Sequence, residues 1–193
     1  MTDHDDLRER IGRVDGGEIT SPTHRWPYTV IFPVAQTRSV VWTTKANLMT
    51  GWLFDTGEEF PIALIGRYGL PRIENLPGIA TVIRDLPLYF LGDCDPFDLL
   101  VYAWLRRHIS IRYLGVSDAV VSALGVNVNG SMTIPLPEEE KQAMALLRDV
   151  WPEFSASVGR ECAAMLEDGR KLEMEALASF RTRPVADLFA LLQ

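Results

Sequence analysis

The sequence has little cysteine and little histidine, which excludes several kinds of site. Its 193 residues include two cysteines, Cys94 and Cys162, which lie far apart and lack Cys-x-x-Cys spacing. A disulfide framework or a structural zinc site needs more ligands than these at close spacing. The three histidines are also too far apart in the sequence for a local metal-binding motif. We therefore expect a protein of a reducing compartment, without structural zinc.

Long apolar runs and an excess of positive charge are absent as well. No apolar run approaches the roughly 20 residues that span a bilayer, and the polar, acidic start Met1–Asp6 is unlike a secretory signal. With 19 basic and 26 acidic residues the net charge is −7. Such a chain repels polyanions, so it is not expected to hold DNA by itself. We expect a cytoplasmic protein that does not use a membrane.

Short apolar runs separated by turn residues predict the strands of an α/β core. Two of the runs are continuous rather than alternating, which is typical of strands buried on both faces of a parallel sheet. The segments between them have helical spacing or a helix-capping sequence, so strands and helices alternate as in a doubly wound fold. The predicted strands are Tyr28–Val34, Ser39–Thr43, Pro61–Gly66, Leu86–Gly92 and Ser110–Gly115, with helices predicted over 45–54, 72–84 and 96–107.

The two ends of the chain differ from this core. Residues 1–27 are mostly charged, small and turn-forming, and predict a flexible N-terminal arm. Residues 28–193 are predicted to form a single α/β domain. Its last part, from about residue 137 to 193, has apolar residues at helical spacing, including a helix over 154–169 and another from Leu172. We therefore expect a C-terminal helical extension.

A cluster of acidic residues lies between a predicted strand and a predicted helix. Asp93, Asp95 and Asp98 follow the apolar run Leu86–Gly92, and the carboxyl ends of strands are where open α/β sheets bind ligands. Carboxylate oxygens are ligands that Mg²⁺ prefers. Asp93 and Asp95 are therefore candidate metal ligands, with Asp98 as a third. Asp95 before Pro96 also fits a helix N-cap, and Asp98 an acidic residue in a first helical turn, so structural roles for both stay open.

Four segments match the motifs of one family in consistent order. Asp93–Leu100 looks like an Asp-x-Asp-Pro-aromatic-Gly signature, and Gly66–Pro71 resembles the Gly-x-Pro segment that precedes it. Ile111–Val116 looks like a strand that ends in Leu-Gly, and Met165–Leu177 is close to a Met-Leu-x-x-Gly-x-Lys-x-Glu-x-x-Ala-Leu stretch. With these motifs the chain resembles, from about Val40 onward, the Toprim domain of the topoisomerase VI A subunit and of its relative, the meiotic double-strand-break transesterase.

The resemblance implies a Toprim-like, doubly wound, mainly parallel sheet flanked by helices, with Mg²⁺ held by Asp93 and Asp95. Two features of the family are missing. Thr44 stands at the position of the family's Toprim glutamate, and no winged-helix domain with a nucleophilic tyrosine precedes the core in this sequence. A hydroxyl does not replace a carboxylate as an anionic ligand or as a base near neutral pH. We therefore expect no strand cleavage by this chain alone.

Two main functions remain open. In the first, the protein binds Mg²⁺ and acts in DNA cleavage, topology or repair with a partner that supplies the nucleophile or the DNA-binding surface. Arg67 and Arg72 would then meet DNA phosphate, although solvated surface arginines explain them equally well. In the second, it is a catalytically inactive Toprim module that serves as an interaction or assembly subunit. A metal-dependent phosphoesterase acting on a small substrate is a weaker third possibility, and the resemblance also makes a homodimer plausible.

Overall fold

The computed structural model describes residues 3–16, 19–20, 29–31, 37–55 and 60–192. In this part of the chain the strands are β1 (Thr29–Ile31), β2 (Ser39–Thr43), β3 (Ile62–Gly66), β4 (Leu88–Leu91), β5 (Arg112–Tyr113), β6 (Thr133–Pro135) and β7 (Arg170–Leu172). The α-helices are α1 (Asp3–Val14), α2 (Ala46–Asp55), α3 (Leu76–Ile83), α4 (Pro96–Leu105), α5 (Asp118–Ala123), α6 (Glu138–Val150), α7 (Phe154–Val158), α8 (Arg160–Glu167), α9 (Met174–Phe180) and α10 (Val185–Phe189).

The main sheet has the strand order β1-β3-β2-β4-β5. Strands β3, β2, β4 and β5 are parallel, and the edge strand β1 runs antiparallel to β3. Every residue of β2, β3 and β4 is buried, as expected for apolar strands of a parallel sheet covered by helices. The predicted fold class, an α/β fold with a mainly parallel sheet flanked by helices, is thereby confirmed.

The chain reverses its direction of travel across the sheet after β3. It runs from β2 to β3 on one side, then returns past β2 to β4 on the other, so the parallel part of the sheet is doubly wound. In such folds ligands bind where the order reverses, outside the carboxyl ends of the strands. Thr43 at the end of β2 pairs with Leu91 at the end of β4. The residues that follow these two strands therefore lie side by side.

The amino-terminal segment corrects the prediction of a flexible arm over residues 1–27. Where the structure describes it, this segment forms α1, which packs on α6 and α4. Leu7 and Ile11 are fully buried, and the Arg8 guanidinium donates to the carbonyl oxygen of Pro71 at 2.8 Å. The prediction was wrong because two apolar residues spaced four apart give a helix one buried face even when the rest of the helix is charged. Residues 17–18 and 21–28 lie outside the described part.

The C-terminal segment contains the helices α6 to α10, as predicted for 137–193, but it also contains the strand β7, which corrects the prediction of a helix from Leu172. Leu172, predicted to begin a helix, lies in β7, which pairs antiparallel with β6. Cys94 and Leu172 exchange two backbone hydrogen bonds, with N···O distances of 3.0 and 3.3 Å. These bonds attach β7 to the loop after β4. The sequence does not show this pairing because both partner segments of β7 are distant in the chain.

The helix predicted over 154–169 is interrupted at Gly159. Its φ of +90° lies in the left-handed region that favours glycine, and a side chain here would collide with the Asp118 carboxylate. That carboxylate accepts hydrogen bonds from the backbone N–H groups of Glu161 at 3.0 Å and Cys162 at 2.9 Å. Asp118 thus caps α8 from a distant part of the chain. Among the described helices, none has both the length and the apolar character needed to cross a membrane.

The packing of α1 is testable by removing one buried side chain. We expect Ile11→Ala to lower the free energy of unfolding by about 2–5 kcal/mol, because it opens a cavity under α1. Arg13→Ala on the exposed face of the same helix is the matched control, with an expected change within about 0.5 kcal/mol. Denaturant unfolding followed by circular dichroism measures both. Equal stability of the two variants would contradict the packing and restore the flexible arm.

Candidate metal centre

The loop between β4 and α4 places three carboxylates together. Asp93 and Asp95 lie in this loop and Asp98 in the first turn of α4. Their side-chain oxygens come within 4.8 Å of one another, and the residues are only 4%, 8% and 9% exposed. The three predicted ligands are therefore brought together as a buried acidic triad that could hold a metal ion.

Asp95 has the capping role that the sequence left open. Its Oδ1 accepts a hydrogen bond from the backbone N–H of Asp98 at 2.8 Å, and Pro96 begins the helix. This arrangement satisfies a backbone donor that a helix start leaves without an intrahelical partner. The cap uses one carboxylate oxygen, so the structural and the metal-binding interpretations of Asp95 are compatible.

Asp98 accepts hydrogen bonds from the segments that follow β2 and β4. Its Oδ2 accepts hydrogen bonds from the Thr44 hydroxyl and from the backbone N–H of Asp93, each at 2.7 Å. Gly92 permits this close approach, since a Cβ there would lie 2.5 Å from the same oxygen. Thr44, which the resemblance aligned with the Toprim glutamate, is thus a hydrogen-bond donor to the triad. It does not contribute a carboxylate.

Asp93 is bound by a lysine that follows β2. Lys45 Nζ lies 2.7 Å from Asp93 Oδ2 and 3.0 Å from a carboxylate oxygen of Glu175. The other oxygen of Asp93, Oδ1, accepts the backbone N–H of Met174 at 2.8 Å. An ammonium group therefore lies at the edge of the triad, and the start of α9 is tied to it.

A second lysine with its own carboxylates lies on β7. Lys171 Nζ is 2.7 Å from Glu140 Oε1 and 3.6 Å from Glu173 Oε1. Leu172, the next residue, forms the backbone bridge to Cys94, between Asp93 and Asp95. Lys171 and Glu140 therefore belong to the surroundings of the triad.

Burial and mutual repulsion raise the pKa values of all three triad carboxyls. Burial, followed by the charge of Asp95, raises the pKa of Asp93 to about 7, although Lys45 opposes the shift. Burial raises the pKa of Asp95 to about 6, against its capping hydrogen bond and with a contribution from the charge of Glu140. The pKa of Asp98 lies well above its ordinary value, because of burial and the charges of Asp95 and Asp93. Without a cation, the triad retains protons near neutral pH.

The predicted DNA-contacting arginines lie in the segment after β3 and differ in exposure. Arg67 is 6% exposed, and its guanidinium donates to the carbonyl oxygen of Leu70 at 3.0 Å. Arg72 is exposed and precedes the short 3-10 turn Ile73–Asn75. The geometry of Arg67 fits a loop-stabilising role, and a contact of either arginine with phosphate stays a prediction.

Sequence reasoning missed five of the charged groups around the triad. Lys45 carried a signal, because it lies two residues after the end of β2, at the point where the sheet order reverses. Lys171, Glu173 and Glu175 lie in the stretch Met165–Leu177 that carries part of the family resemblance, but the sequence did not assign them to the acidic centre. Glu140 had no signal of its own, since three consecutive glutamates begin α6 and only the structure shows which one is buried.

No protein-family model matches this chain, and neither does any curated protein.

The raised pKa values predict that the metal-free protein loses stability as the pH rises. In the folded protein the carboxyls of Asp93 and Asp95 release their protons near pH 7 and pH 6. In the unfolded chain an aspartate releases its proton at a pH of about 3.9. The folded state thus binds more protons at the triad between these limits, so the triad's contribution to stability is greatest below pH about 4 and is lost as the pH rises through 7. We expect a slope of up to about 1.4 kcal/mol per pH unit for each proton released.

Denaturant unfolding in EDTA, at intervals from pH 5 to pH 8, measures this slope. The double variant Asp93→Asn plus Asp95→Asn is the control, and the difference between the two proteins isolates the triad from all other titrating groups. The variant is expected to show a flatter profile. Parallel profiles for the two proteins would rule out strain from buried, repelling carboxylates.

Proposed function

We propose that this chain is a Toprim-like module of the topoisomerase VI A type that binds Mg²⁺ and acts in DNA cleavage, topology or repair together with a partner. The carrying observation is an excess of buried carboxyl groups over ammonium groups where the sheet order reverses. The buried carboxyl groups are Asp93, Asp95, Asp98 and Glu140, and the ammonium groups are Lys45 and Lys171, which also pair with the more exposed Glu175 and Glu173. Such a group of buried acids is costly unless protons or a cation neutralise it.

The donor set suits Mg²⁺, which prefers carboxylate oxygens and retains several waters. Asp95 Oδ2 and Asp98 Oδ1 lie outside the hydrogen bonds that hold the loop, because those bonds use Asp95 Oδ1 and Asp98 Oδ2. Asp93, Asp95 and Asp98 are the residues that would hold the ion. When bound, Mg²⁺ neutralises charge on a phosphate oxygen and polarises the phosphorus centre.

The described tyrosines support the need for a partner in strand cleavage. Tyr89, Tyr102 and Tyr113 each donate their hydroxyl to a backbone carbonyl. Burial also raises the pKa of Tyr102 and Tyr113, which disfavours the phenolate that attacks phosphorus. Tyr68, 44% exposed after β3, is the most accessible tyrosine in the described part. We infer that the nucleophile comes from a partner, as does most of the DNA-binding surface of this acidic chain.

The second candidate function, a catalytically inactive interaction module, is favoured by Lys45. Its ammonium lies 2.7 Å from Asp93 Oδ2, so the chain supplies a cation of its own next to the triad. Thr44 leaves the family's glutamate position without a carboxylate. If this ion pair is permanent, the triad is a structural polar cluster and the protein has no metal-dependent activity.

Isothermal titration calorimetry with Mg²⁺ and Mn²⁺ tests the proposed function. We expect one saturable site in the wild type and much weaker binding in the double variant Asp93→Asn plus Asp95→Asn. Mutation of residues that only support the ligands of a metal site lowers the affinity by about 10- to 100-fold, and loss of two ligands is expected to lower it by more. Glu138→Gln plus Glu139→Gln removes the same charge from the exposed start of α6 and is the matched control.

Lys45→Met distinguishes the two functions in the same titration. If the protein binds Mg²⁺, removing the competing ammonium is expected to tighten binding by about tenfold, equivalent to about 1.4 kcal/mol. If the module is inactive because Lys45 replaces the ion, Lys45→Met gains a site that the wild type lacks. Binding by neither protein would leave the triad without any role toward metal.

Binding of DNA by this chain without its partner is expected to be weak and to need the cation. The acidic centre repels phosphate, so a fluorescent DNA duplex should bind weakly with Mg²⁺ and not with EDTA. Arg72→Gln is expected to lower the slope of log affinity against log salt by about one, as for loss of one phosphate contact. Fluorescence anisotropy at several salt concentrations measures both effects. Equal binding in EDTA would contradict a role for the triad in DNA contact.

A further inference from the structure

Glu140 is a buried carboxylate that the three-aspartate centre does not include. It lies in the first turn of α6 and is 6% exposed, whereas Glu138 and Glu139 beside it are exposed. Its Oε1 is paired with Lys171, but its Oε2 is fully buried and has no hydrogen-bond partner among the residues that the structure describes. A buried carboxylate oxygen in this state is costly unless a proton or a cation binds it.

The backbone bridge places this carboxylate beside the triad. Cys94 and Leu172 form a hydrogen-bonded antiparallel pair, so Asp95 lies opposite Lys171 across the bridge. Because side chains alternate along a strand, Asp95 and Lys171 both project on the side away from Cys94 and Leu172. Lys171 in turn holds Glu140 at 2.7 Å. Asp95 thus interacts electrostatically with Lys171, which contacts Glu140, so the three charged groups follow one another from the triad to α6.

Lys171 and Lys45 have the same kind of surroundings, because each ammonium lies between two carboxylates. Lys45 lies between Asp93 and Glu175, and Lys171 lies between Glu140 and Glu173. Each ammonium thus binds two carboxylates, and one of these four, Asp93, belongs to the triad. Thr44, which follows β2, contributes a hydroxyl and no carboxylate to the triad. Glu140 is a fourth buried carboxylate of the described chain, joined to the surroundings of the triad through Lys171.

We propose that Glu140 is a fourth carboxylate of the acidic centre, which strengthens divalent-cation binding, and that Lys171 holds this carboxylate when no cation is bound. The inference rests on the proposed function, since it requires that the triad binds a divalent cation. It assigns opposite effects to two residues in direct contact. Glu140 increases the affinity for the cation, and the ammonium of Lys171 decreases it.

Calorimetric titration with Mn²⁺ and Mg²⁺ of wild type, Glu140→Gln, Lys171→Met and Glu138→Gln tests the proposal. Glu140→Gln is expected to weaken binding by about 10- to 100-fold, whereas Lys171→Met is expected to tighten it. Glu138→Gln changes an exposed glutamate of the same helix that pairs with Lys141, and this variant is expected to bind as the wild type does. Unfolding curves in EDTA show in parallel whether each variant is folded.

The outcomes separate the inference from the function on which it rests. If the wild type binds the ion and Glu140→Gln binds it equally well, Glu140 has no part in the centre and the inference alone fails. If Glu140→Gln and Lys171→Met both weaken binding, the pair serves only to support the fold, which also overturns the inference. If the wild type binds neither ion, the proposed function fails and the inference fails with it. Should Glu140→Gln not fold, the direction of the Lys171→Met effect still decides.

Discussion

Repulsion among three buried carboxylates constrains the structure around the carboxyl ends of β2 and β4. Asp93, Asp95 and Asp98 come within 4.8 Å of one another, and in a medium of low dielectric constant such a cluster is stable only if donors and cations surround it. The surrounding groups come from separate parts of the chain: the Thr44 hydroxyl after β2, the Asp98 N–H at the start of α4 and the Met174 N–H at the start of α9. The triad therefore ties together the elements that meet at its edge of the sheet.

The same constraint explains why the C-terminal segment belongs to the centre. The pairing of Cys94 with Leu172 inserts the carbonyl and N–H of β7 between two of the acidic residues. Residues on either side of Leu172 then face the charges: Lys171 on one side, and Glu173 and Met174 on the other. The stretch Met165–Leu177, which is part of the family resemblance, supplies Lys171, Glu173 and Glu175 to the charged groups around the triad.

The sequence predicts those parts of the fold that depend on local patterns. The continuous apolar runs of β3 and β4 predict buried parallel strands, and Asp95 followed by Pro96 predicts the start of α4, because hydrophobic periodicity and capping act within a few residues. Leu172 was assigned to a helix because its position in β7 depends on pairing with β6 and Cys94, which are far away in the chain. The burial of α1 and of Glu140 likewise depends on tertiary packing, which no local window records.

Whether the centre takes up an ion depends on how easily Lys45 leaves Asp93. An ammonium on a flexible four-carbon stem can change partners with little rearrangement of the backbone. The Lys45 side chain is 23% exposed, so it keeps access to water, and Glu175 already binds it at 3.0 Å while being 53% exposed itself. If Lys45 moves away from Asp93, its ammonium therefore keeps Glu175 as a counter-charge. A divalent cation entering the triad gains three carboxylates, whereas the protein gives up one of the two ion pairs of Lys45. This balance is the physical argument for the proposed cation-binding centre, in which Lys45 moves aside.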